Sequence, residues 1–226
     1  MHILLINGSP RKTGATAKIL SAFEAQLQQY AGVHTTLVHV SDLEIGFCKG
    51  CCRCYRTCQC FMQDDAEALS RKIAQADGLV IGSPNFVSGV HGQLKAFIDR
   101  GHFVIEQLLK NVHTIGVVTY ENADGRAVRK ALRKLFVLSG AKHAGDMMVK
   151  LPFNQDPMES ERIQRQVGVR CRRLYDGIQK GAPGGAWNRL LHAAAFRFGI
   201  RPFVRKKGEA FQGVLEHWKE RGILNV

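Results

Sequence analysis

NGSPRKTGAT (residues 7–16) follows the apolar run ILLI (residues 3–6) and precedes a helix-like segment that reaches about Tyr30. A buried strand, a loop of small and hydroxyl residues and a helix N-terminus together form an anion site. Unpaired N–H groups at the helix start point at the anion, and the helix dipole adds to the attraction. The guanidinium of Arg11 also suits phosphate oxygens. We therefore predict that a phosphate group binds in this loop.

Two common phosphate loops do not match this stretch. A Walker A loop requires four residues between its two glycines and then Lys, whereas five residues separate Gly8 from Gly14 and Ala15 occupies the lysine position. The dinucleotide fingerprint Gly-x-Gly-x-x-Gly is absent, because Ser9 and Pro10 follow Gly8. The loop suits a terminal phosphate held without a metal, such as the monoester of FMN. An ordinary strand-to-helix turn is the alternative.

Composition sets the broad class of the protein. The chain has 226 residues, 45% hydrophobic and 23% charged, which suits one domain with an appendage. No apolar run is long enough to span a bilayer and no cleavable leader is recognisable, so we expect a cytoplasmic protein. The formal net charge is +13. No DNA- or RNA-binding motif accompanies it, so we expect no specific nucleic-acid binding and favour an anionic cosubstrate such as NADPH.

Strand-like and helix-like segments alternate along the chain. Buried strands are predicted at residues 3–6, 34–40, 78–82, 112–119 and 143–149. Because helices separate them, the expected fold class is α/β: a flavodoxin-like, doubly wound five-stranded parallel sheet of order 2-1-3-4-5 with a C-terminal helical extension. In this topology ligands bind outside the carboxyl ends of strands 1 and 3. The phosphate loop and the loop at residues 83–92 are expected to meet there.

A cluster of helix breakers at residues 181–185 predicts the end of the core domain. We expect a flavodoxin-like FMN-binding domain at residues 1–180 and a basic helical extension at residues 181–226. In the extension, apolar residues recur at helical spacing among basic ones: Trp187, Leu190, Leu191, Ala194 and Phe198. We favour packing of this face on the core or on a second subunit over contact with a membrane surface.

The isoalloxazine ring of FMN requires a flat slot with apolar or aromatic walls and nearby backbone donors. The loop at residues 84–87 offers one wall, and the loop from Thr119 to Gly125 offers a second through Tyr120. Each aromatic side chain also has a purely structural interpretation, since Phe86 could fill the core and Tyr120 could cover the edge of the sheet.

Three separated motifs resemble those of the NAD(P)H-dependent FMN reductase family. They are GSPRKTGAT at residues 8–16, GSP at residues 82–84 and SGVHGQLKAFIDR at residues 88–100. The resemblance covers about residues 1–180 and implies bound FMN, hydride transfer from NAD(P)H and assembly into dimers or tetramers. The predicted cofactor-binding residues are Ser9, Arg11, Gly14, Thr16, Pro84, Asn85, Phe86, Val87, Thr119, Tyr120 and Gly125.

Six of the seven cysteines lie between Cys48 and Cys60. Four of them have the spacing C-x₂-C-x₂-C-x₅-C, typical of a [4Fe–4S] site: Cys48, Cys51, Cys54 and Cys60. This loop resembles that of the iron–sulfur flavoproteins, a branch of the same family. We favour a cluster on these four residues, with free or redox-active thiols and structural zinc as alternatives. Two extra thiols, Cys52 and Cys58, leave the ligand set open.

The sequence predicts an FMN-dependent oxidoreductase that passes hydride from NAD(P)H to FMN and onward to a small-molecule or protein acceptor, through a [4Fe–4S] cluster if one is present. Hydride transfer between stacked rings needs no acid–base pair, so no catalytic side chain is assigned. Two alternatives stay open. One is a flavodoxin-type electron carrier without nicotinamide turnover, and the other is a redox-sensing or interaction protein acting through its cysteines.

Overall fold

The computed structural model describes residues 1–122 and 124–225; Val226, the last residue of the predicted extension, lies outside the described residues. Five strands form one sheet: β1 (His2–Asn7), β2 (His34–His39), β3 (Gly78–Pro84), β4 (His113–Tyr120) and β5 (Lys142–Lys150). Neighbouring strands are all parallel, in the order β2-β1-β3-β4-β5. The predicted fold class and strand order are therefore confirmed.

Helices cover both faces of the sheet and form the extension. They are α1 (Ala15–Leu27), α2 (Arg53–Thr57), α3 (Asp65–Ala74), α4 (Gly92–Arg100), α5 (Arg126–Leu138), α6 (Glu161–Gln179), α7 (Ala186–Ala195), α8 (Arg201–Lys207) and α9 (Gln212–Glu220). A π-helical turn, Phe196–Ile200, joins α7 to α8. Short 3₁₀ turns lie at Val40–Asp42, Pro157–Glu159, Gly208–Phe211 and Ile223–Asn225. Within the described ranges, none of the helices has both the length and the apolar character needed to cross a bilayer.

Alternate residues of the buried strands contribute to two apolar cores, one on each face of the sheet. Leu4 and Ile6 pack in the core that α3, α4 and α5 cover. Ile3 and Leu5 pack in the core that α1 and α6 cover. Because both faces are covered, the strands are apolar at consecutive positions rather than alternating, which is the pattern that predicts a buried parallel sheet.

β1 lies between β2 and β3, so the winding of the chain reverses at β1. The N–H of Gly8 donates to the carbonyl of Gly82 at 2.8 Å. A Cβ at Gly8 would lie 2.5 Å from Leu94 Cδ2 and 2.9 Å from Gly82 O. Only glycine permits this approach, which holds the loop after β1 against β3 and α4 at the edge of the sheet where ligands bind.

The C-terminal helices form a third core against the cysteine-rich segment. Trp218 is fully buried there, and its Nε1 donates to the carbonyl of Ile105 at 3.0 Å. Tyr55, on α2, stacks on Phe211 with ring centroids 4.5 Å apart. A Cβ at Gly213 would lie 2.7 Å from the carbonyl oxygen of Arg56, so glycine lets α9 approach α2 closely. Neither α2 nor this contact is predicted from the sequence. The division of the chain near residue 181 stays a prediction.

Candidate functional site

A cavity opens at the carboxyl edge of the sheet, where the loops after β1, β3, β4 and β5 converge. Seven predicted cofactor-binding residues line it: Arg11, Pro84, Asn85, Phe86, Val87, Thr119 and Tyr120. Six other residues complete the lining: Ala15, Glu121, Asn122, Leu151, Pro152 and Phe153. The structure thus brings the three predicted loops together and adds a fourth wall from the loop after β5.

The N-terminus of α1 opens the phosphate-loop side of the cavity. Gly14 is the N-cap residue, and the helix has neither a capping side chain nor an acidic residue in its first turn. The carbonyl of Gly14 accepts from the N–H of Lys18 at 3.0 Å. The N–H groups that precede Lys18 in the first turn have no helical partner and are free to bind an anion.

Arg11 lies beside this helix start. A Cβ at Gly14 would lie 3.2 Å from Arg11 Cβ, so the glycine makes room for the arginine. Arg11 Cζ lies 4.0 Å from the ring centroid of Phe153, within the range of a cation–π contact. Lys12, by contrast, forms an ion pair with Asp42. Arg11 therefore supplies a cation beside the open helix start, whereas the charge of Lys12 is compensated.

Ser9 and Thr16 are almost fully buried and do not line the described cavity. Ser9 Oγ accepts from the N–H of Arg11 at 3.2 Å and so tightens the turn. The hydroxyls of Thr16 and Thr119 share a hydrogen bond of 2.8 Å, which ties α1 to the end of β4. Both residues shape the loops of the site, and their direct contact with a phosphate stays a prediction.

The loop after β3 makes a tight turn over the cavity. Phe86 and Gly89 exchange two backbone hydrogen bonds, of 3.0 and 2.8 Å. Between them, Val87 and Ser88 have φ values of 47° and 61°, in the left-handed region. The Val87 side chain is fully exposed and that of Phe86 is about half exposed. A β-branched residue such as Val87 is strained in the left-handed region. The turn nevertheless holds this apolar side chain at the mouth of the cavity.

We expect Val87→Asn to raise the free energy of unfolding of the FMN-free protein by about 1 kcal/mol, because asparagine tolerates the left-handed region better than valine. Val169→Asn is the matched control, since Val169 is also exposed but lies within α6. Urea unfolding measures both variants. A Val87 variant no more stable than the parent protein would show that the turn carries no strain.

The loops around the cavity brace one another. The N–H of Asn85 donates to the carbonyl of Thr119 at 2.8 Å, and the N–H of Leu151 donates to the carbonyl of Tyr120 at 3.1 Å. Gly125, the N-cap residue of α5, lies against the Tyr120 ring, and a Cβ there would be 2.7 Å from Tyr120 Cδ1. Gly125 therefore supports the ring from behind rather than lining the cavity.

Arg100 holds the two ends of the cysteine-rich loop together. Its buried guanidinium pairs with the Asp64 carboxylate and donates to Gly46 O at 3.2 Å and Cys60 Sγ at 3.3 Å. Asp64 also accepts from the N–H groups of Gly46 and Ala66, and through the latter it caps α3. Burial alone would raise the pKa of Asp64, but these hydrogen bonds hold it below the usual value. Cys60 thus lies beside a fixed positive charge.

The other partly buried cysteines have contrasting surroundings. Burial would lower the pKa of His102, but its hydrogen bonds to Cys54 and Glu106 raise that pKa to about 10. His102 Nδ1 and Glu106 Oε1 are 2.8 Å apart. Burial and neighbouring carboxylates, first Glu106, raise the pKa of Cys58 to about 12. Cys54 and Cys60 therefore have cationic neighbours, whereas the neighbours of Cys58 are carboxylates.

The four spaced cysteines offer an all-thiolate donor set, which is the chemistry that iron–sulfur clusters require. Among the residues that the structure describes, however, no three His, Cys, Asp or Glu side chains are grouped so as to hold a metal ion. The donor chemistry fits a cluster, but the site is not preformed. This is expected where metal binding and local folding are coupled. The four-cysteine ligand set stays a prediction.

A family model described as NADPH-dependent FMN reductase matches residues 1–156. The chain belongs to this family. Membership confirms the resemblance drawn from the three motifs and makes the protein one of the flavin-dependent oxidoreductases. The match ends before α6, so it covers the whole sheet and every loop of the cavity but not the C-terminal helices.

Several relatives of this chain carry the name iron-sulfur flavoprotein. One from Clostridioides difficile (strain 630) is 30% identical over 226 residues, covering 99% of this chain and 100% of that protein. One from Archaeoglobus fulgidus is 36% identical over 172 residues, covering 75% of this chain and 84% of that protein. For some other relatives the match spans about half of the relative's length. For one from Methanocaldococcus jannaschii it spans 51%.

Solved structures share the fold at low sequence identity. An NADH:FMN oxidoreductase in its apo form aligns with a TM-score of 0.61 at 18% identity, covering 83% of this chain and 93% of that chain. A flavodoxin from the domain Archaea aligns with a TM-score of 0.54 at 9% identity, covering 79% of this chain and 99% of that chain. These similarities support the flavodoxin-like architecture.

The cavity fits the FMN that membership of the FMN reductase family implies. The uncapped start of α1 and the Arg11 guanidinium suit the phosphate. Phe86, Val87 and Tyr120 supply apolar and aromatic surface for the ring. Phe153 extends that surface and is absent from the sequence-based set. A signal was present in the sequence, because Leu-Pro-Phe at residues 151–153 directly follows the last strand and so must reach the same edge of the sheet.

Proposed function

We propose that the protein is an FMN-dependent NAD(P)H oxidoreductase that takes hydride from a nicotinamide and delivers the electrons to a separate acceptor. The observation that carries the proposal is the cavity in which an uncapped helix start and Arg11 lie at one end, with exposed Phe86 and Val87 and partly buried Tyr120 nearby. Family membership supports the same conclusion. Assembly into dimers or tetramers belongs to the proposal on the strength of the resemblance alone.

FMN, when bound, supplies a ring that accepts hydride. The chain's own residues bind the FMN and orient its ring. Arg11 and the first N–H groups of α1 neutralise the phosphate, and the interlocked loops hold the two walls at a fixed separation. The turn at Val87 places apolar surface over the opening and limits the access of water. The strongly basic chain also attracts the phosphates of NAD(P)H.

Flavin titration and steady-state turnover test this proposal together. We expect the FMN-free protein to bind one FMN per chain, and the loaded protein to oxidise NADH or NADPH when a quinone or free flavin is present. Flavin binding without nicotinamide oxidation would favour the flavodoxin-type carrier. A protein that binds no FMN would overturn both functions.

We further propose that Cys48, Cys51, Cys54 and Cys60 bind a [4Fe–4S] cluster, which would supply one-electron transfer beside the flavin. Support comes from the spacing, from the cationic neighbours of Cys54 and Cys60, and from the names of the relatives. Cys58, by contrast, falls outside the spacing and has carboxylate neighbours. Free thiols and zinc are the competing interpretations.

Iron analysis of anaerobically prepared variants tests the ligand set. We expect about four irons per parent chain, and a near-complete loss of iron in Cys54→Ser. Cys52→Ser is the matched control, because Cys52 lies in the same exposed segment but outside the spacing, and it should keep its iron. An iron-free yellow parent protein would end the cluster proposal and leave the flavin proposal intact.

A further inference from the structure

α7, the π-helical turn and α8 form a nearly continuous helical segment at residues 186–207, here called the outer helix. Several large apolar side chains on it are exposed: Trp187, Leu190, Leu191, Phe198 and Phe203. Trp187 is 64% exposed and Phe198 is 78% exposed. The sequence predicts that this apolar face packs on the core or on a second subunit, and in the single chain it does not pack on the core.

The geometry of the outer helix explains this exposure. At 100° per residue, Trp187, Leu191 and Phe198 share one face. The opposite face attaches the helix to the protein. His192 Nε2 donates to Gln107 Oε1 at 2.6 Å, and Phe196, which is buried, lies against Trp218 with ring centroids 5.0 Å apart. The helix is thus held from beneath and displays a continuous apolar stripe outward.

The charge on this surface has one sign. The outer helix contains no acidic residue and six cations: Arg189, Arg197, Arg201, Arg205, Lys206 and Lys207. The neighbouring helix α5 also lacks acidic residues and exposes further cations: Arg129, Lys130, Arg133 and Lys134. Arg133 Nη2 donates to Asn188 Oδ1 at 2.9 Å, which joins the two helices into one surface.

We propose that the outer helix binds the surface of a membrane that contains anionic phospholipids. Exposed Trp, Phe and Leu on one face, with Lys and Arg beside them, are the features of helices that lie in the lipid interface. The cations would contact the headgroups while the apolar stripe enters the boundary region. This inference goes beyond the proposed function and does not depend on flavin chemistry.

A second copy of the chain is a poorer occupant of this surface. In a two-fold symmetric dimer the same patch meets itself, so each partner would bring the same cations and no acidic residue to compensate them. Anionic lipid supplies the opposite charge at high density. The charge pattern therefore favours a membrane over self-association.

A cavity beneath the outer helix is consistent with a phosphate-bearing headgroup. Lys110, His192, Arg197 and Arg201 line it together with apolar residues, and no acidic side chain is in the lining. In the described chain Lys110, Arg197 and Arg201 form no ion pair with a carboxylate, and Arg201 Nε is buried without a hydrogen-bond partner. A lipid phosphate would satisfy these groups.

Vesicle co-sedimentation of the full-length, FMN-loaded protein tests the proposal. We expect binding to phosphatidylcholine vesicles that contain about 30% phosphatidylglycerol, little binding to phosphatidylcholine alone, and weakening at an ionic strength of about 0.5 M. Absence of binding to the anionic vesicles at low salt would overturn the proposal and leave the oxidoreductase assignment unaffected, because the flavin is measured separately.

Two sets of variants separate the apolar and charged contributions. Trp187→Ser combined with Phe198→Ser should weaken vesicle binding at least about tenfold, whereas Val169→Ser, exposed on α6, should not change it. Arg205→Gln, Lys206→Gln and Lys207→Gln together should weaken binding about a hundredfold. Arg162→Gln with Arg165→Gln is the matched control on α6. Both sets alter exposed side chains, so we expect the variants to fold.

Light scattering in solution tests the competing interpretation, in which a second copy of the chain covers the stripe. If Trp187→Ser with Phe198→Ser lowers the number of subunits in the native particle, a second copy covers the stripe and the membrane proposal is wrong. An unchanged particle size together with lost vesicle binding supports it. Equal vesicle binding by the parent protein and both sets of variants would also contradict it, since the interaction would then lie elsewhere.

Discussion

Arg100→Met is expected to lower the free energy of unfolding by about 3 kcal/mol, because it leaves the Asp64 carboxylate partly buried without its cation. The Arg100 side chain is only 1% exposed and that of Asp64 is 14% exposed, so water does not replace the lost partner. The carbonyl of Gly46 and the thiol of Cys60 lose a donor in the same change. Denaturant unfolding of the apo protein measures the effect.

The exposed pair Arg172–Asp176 on α6 provides the control for Arg100→Met. Its atoms are 2.9 Å apart, but Arg172 is largely exposed, so Arg172→Met should leave the free energy of unfolding nearly unchanged. The pH dependence offers a second check. The pKa of Asp64 is lowered in the folded protein. Its carboxylate therefore adds to the free energy of unfolding at neutral pH, and this stabilisation is lost as pH falls through that pKa. The difference in free energy of unfolding between Arg100→Met and the parent protein should therefore shrink below about pH 4. A deficit that is constant with pH would indicate lost packing alone.

Arg11→Ala is expected to weaken FMN binding at least about tenfold, since a charge-assisted contact contributes about 1.5–3 kcal/mol. The guanidinium lies beside the uncapped start of α1, whose first turn has no acidic residue. Fluorescence titration of the apo protein gives the Kd. Arg11→Lys should recover part of the affinity, because it keeps the charge but not the two-pronged geometry.

Lys12→Ala is the matched control for Arg11. Lys12 is the adjacent residue and carries the same charge, but it already pairs with Asp42. We therefore expect a change in Kd of less than about threefold. Equal effects of the two substitutions would indicate a diffuse electrostatic contribution, and an unchanged Kd in Arg11→Ala would show that the phosphate binds elsewhere.

Much of the fold was predictable because the buried strands have strong local signals. Residues 3–6 and 78–82 are apolar throughout, and the structure extends each predicted strand by one or two residues at its ends. The parallel order followed from the alternation of strands and helices, which leaves few topologies.

The candidate site was predictable in part. The loops after β1, β3 and β4 contain glycine, proline and hydroxyl residues in recognisable motifs, and the structure brings them to one cavity. The wall at residues 151–153 has no such motif. Thr16 and Ser9 have the residue types of phosphate ligands but are engaged within the protein, by Thr119 and by the N–H of Arg11. Residue type alone does not reveal such internal partners.

The sequence by itself determined the sheet and its order, since both depend on runs of a few adjacent residues whose burial is locally encoded. Tertiary structure alone decided which distant residues meet. Thr16 bonds Thr119, Trp218 bonds Ile105, and the outer helix displays its apolar stripe instead of burying it. A single sequence carries no periodic signal for contacts between segments a hundred residues apart, because they arise from how whole elements pack.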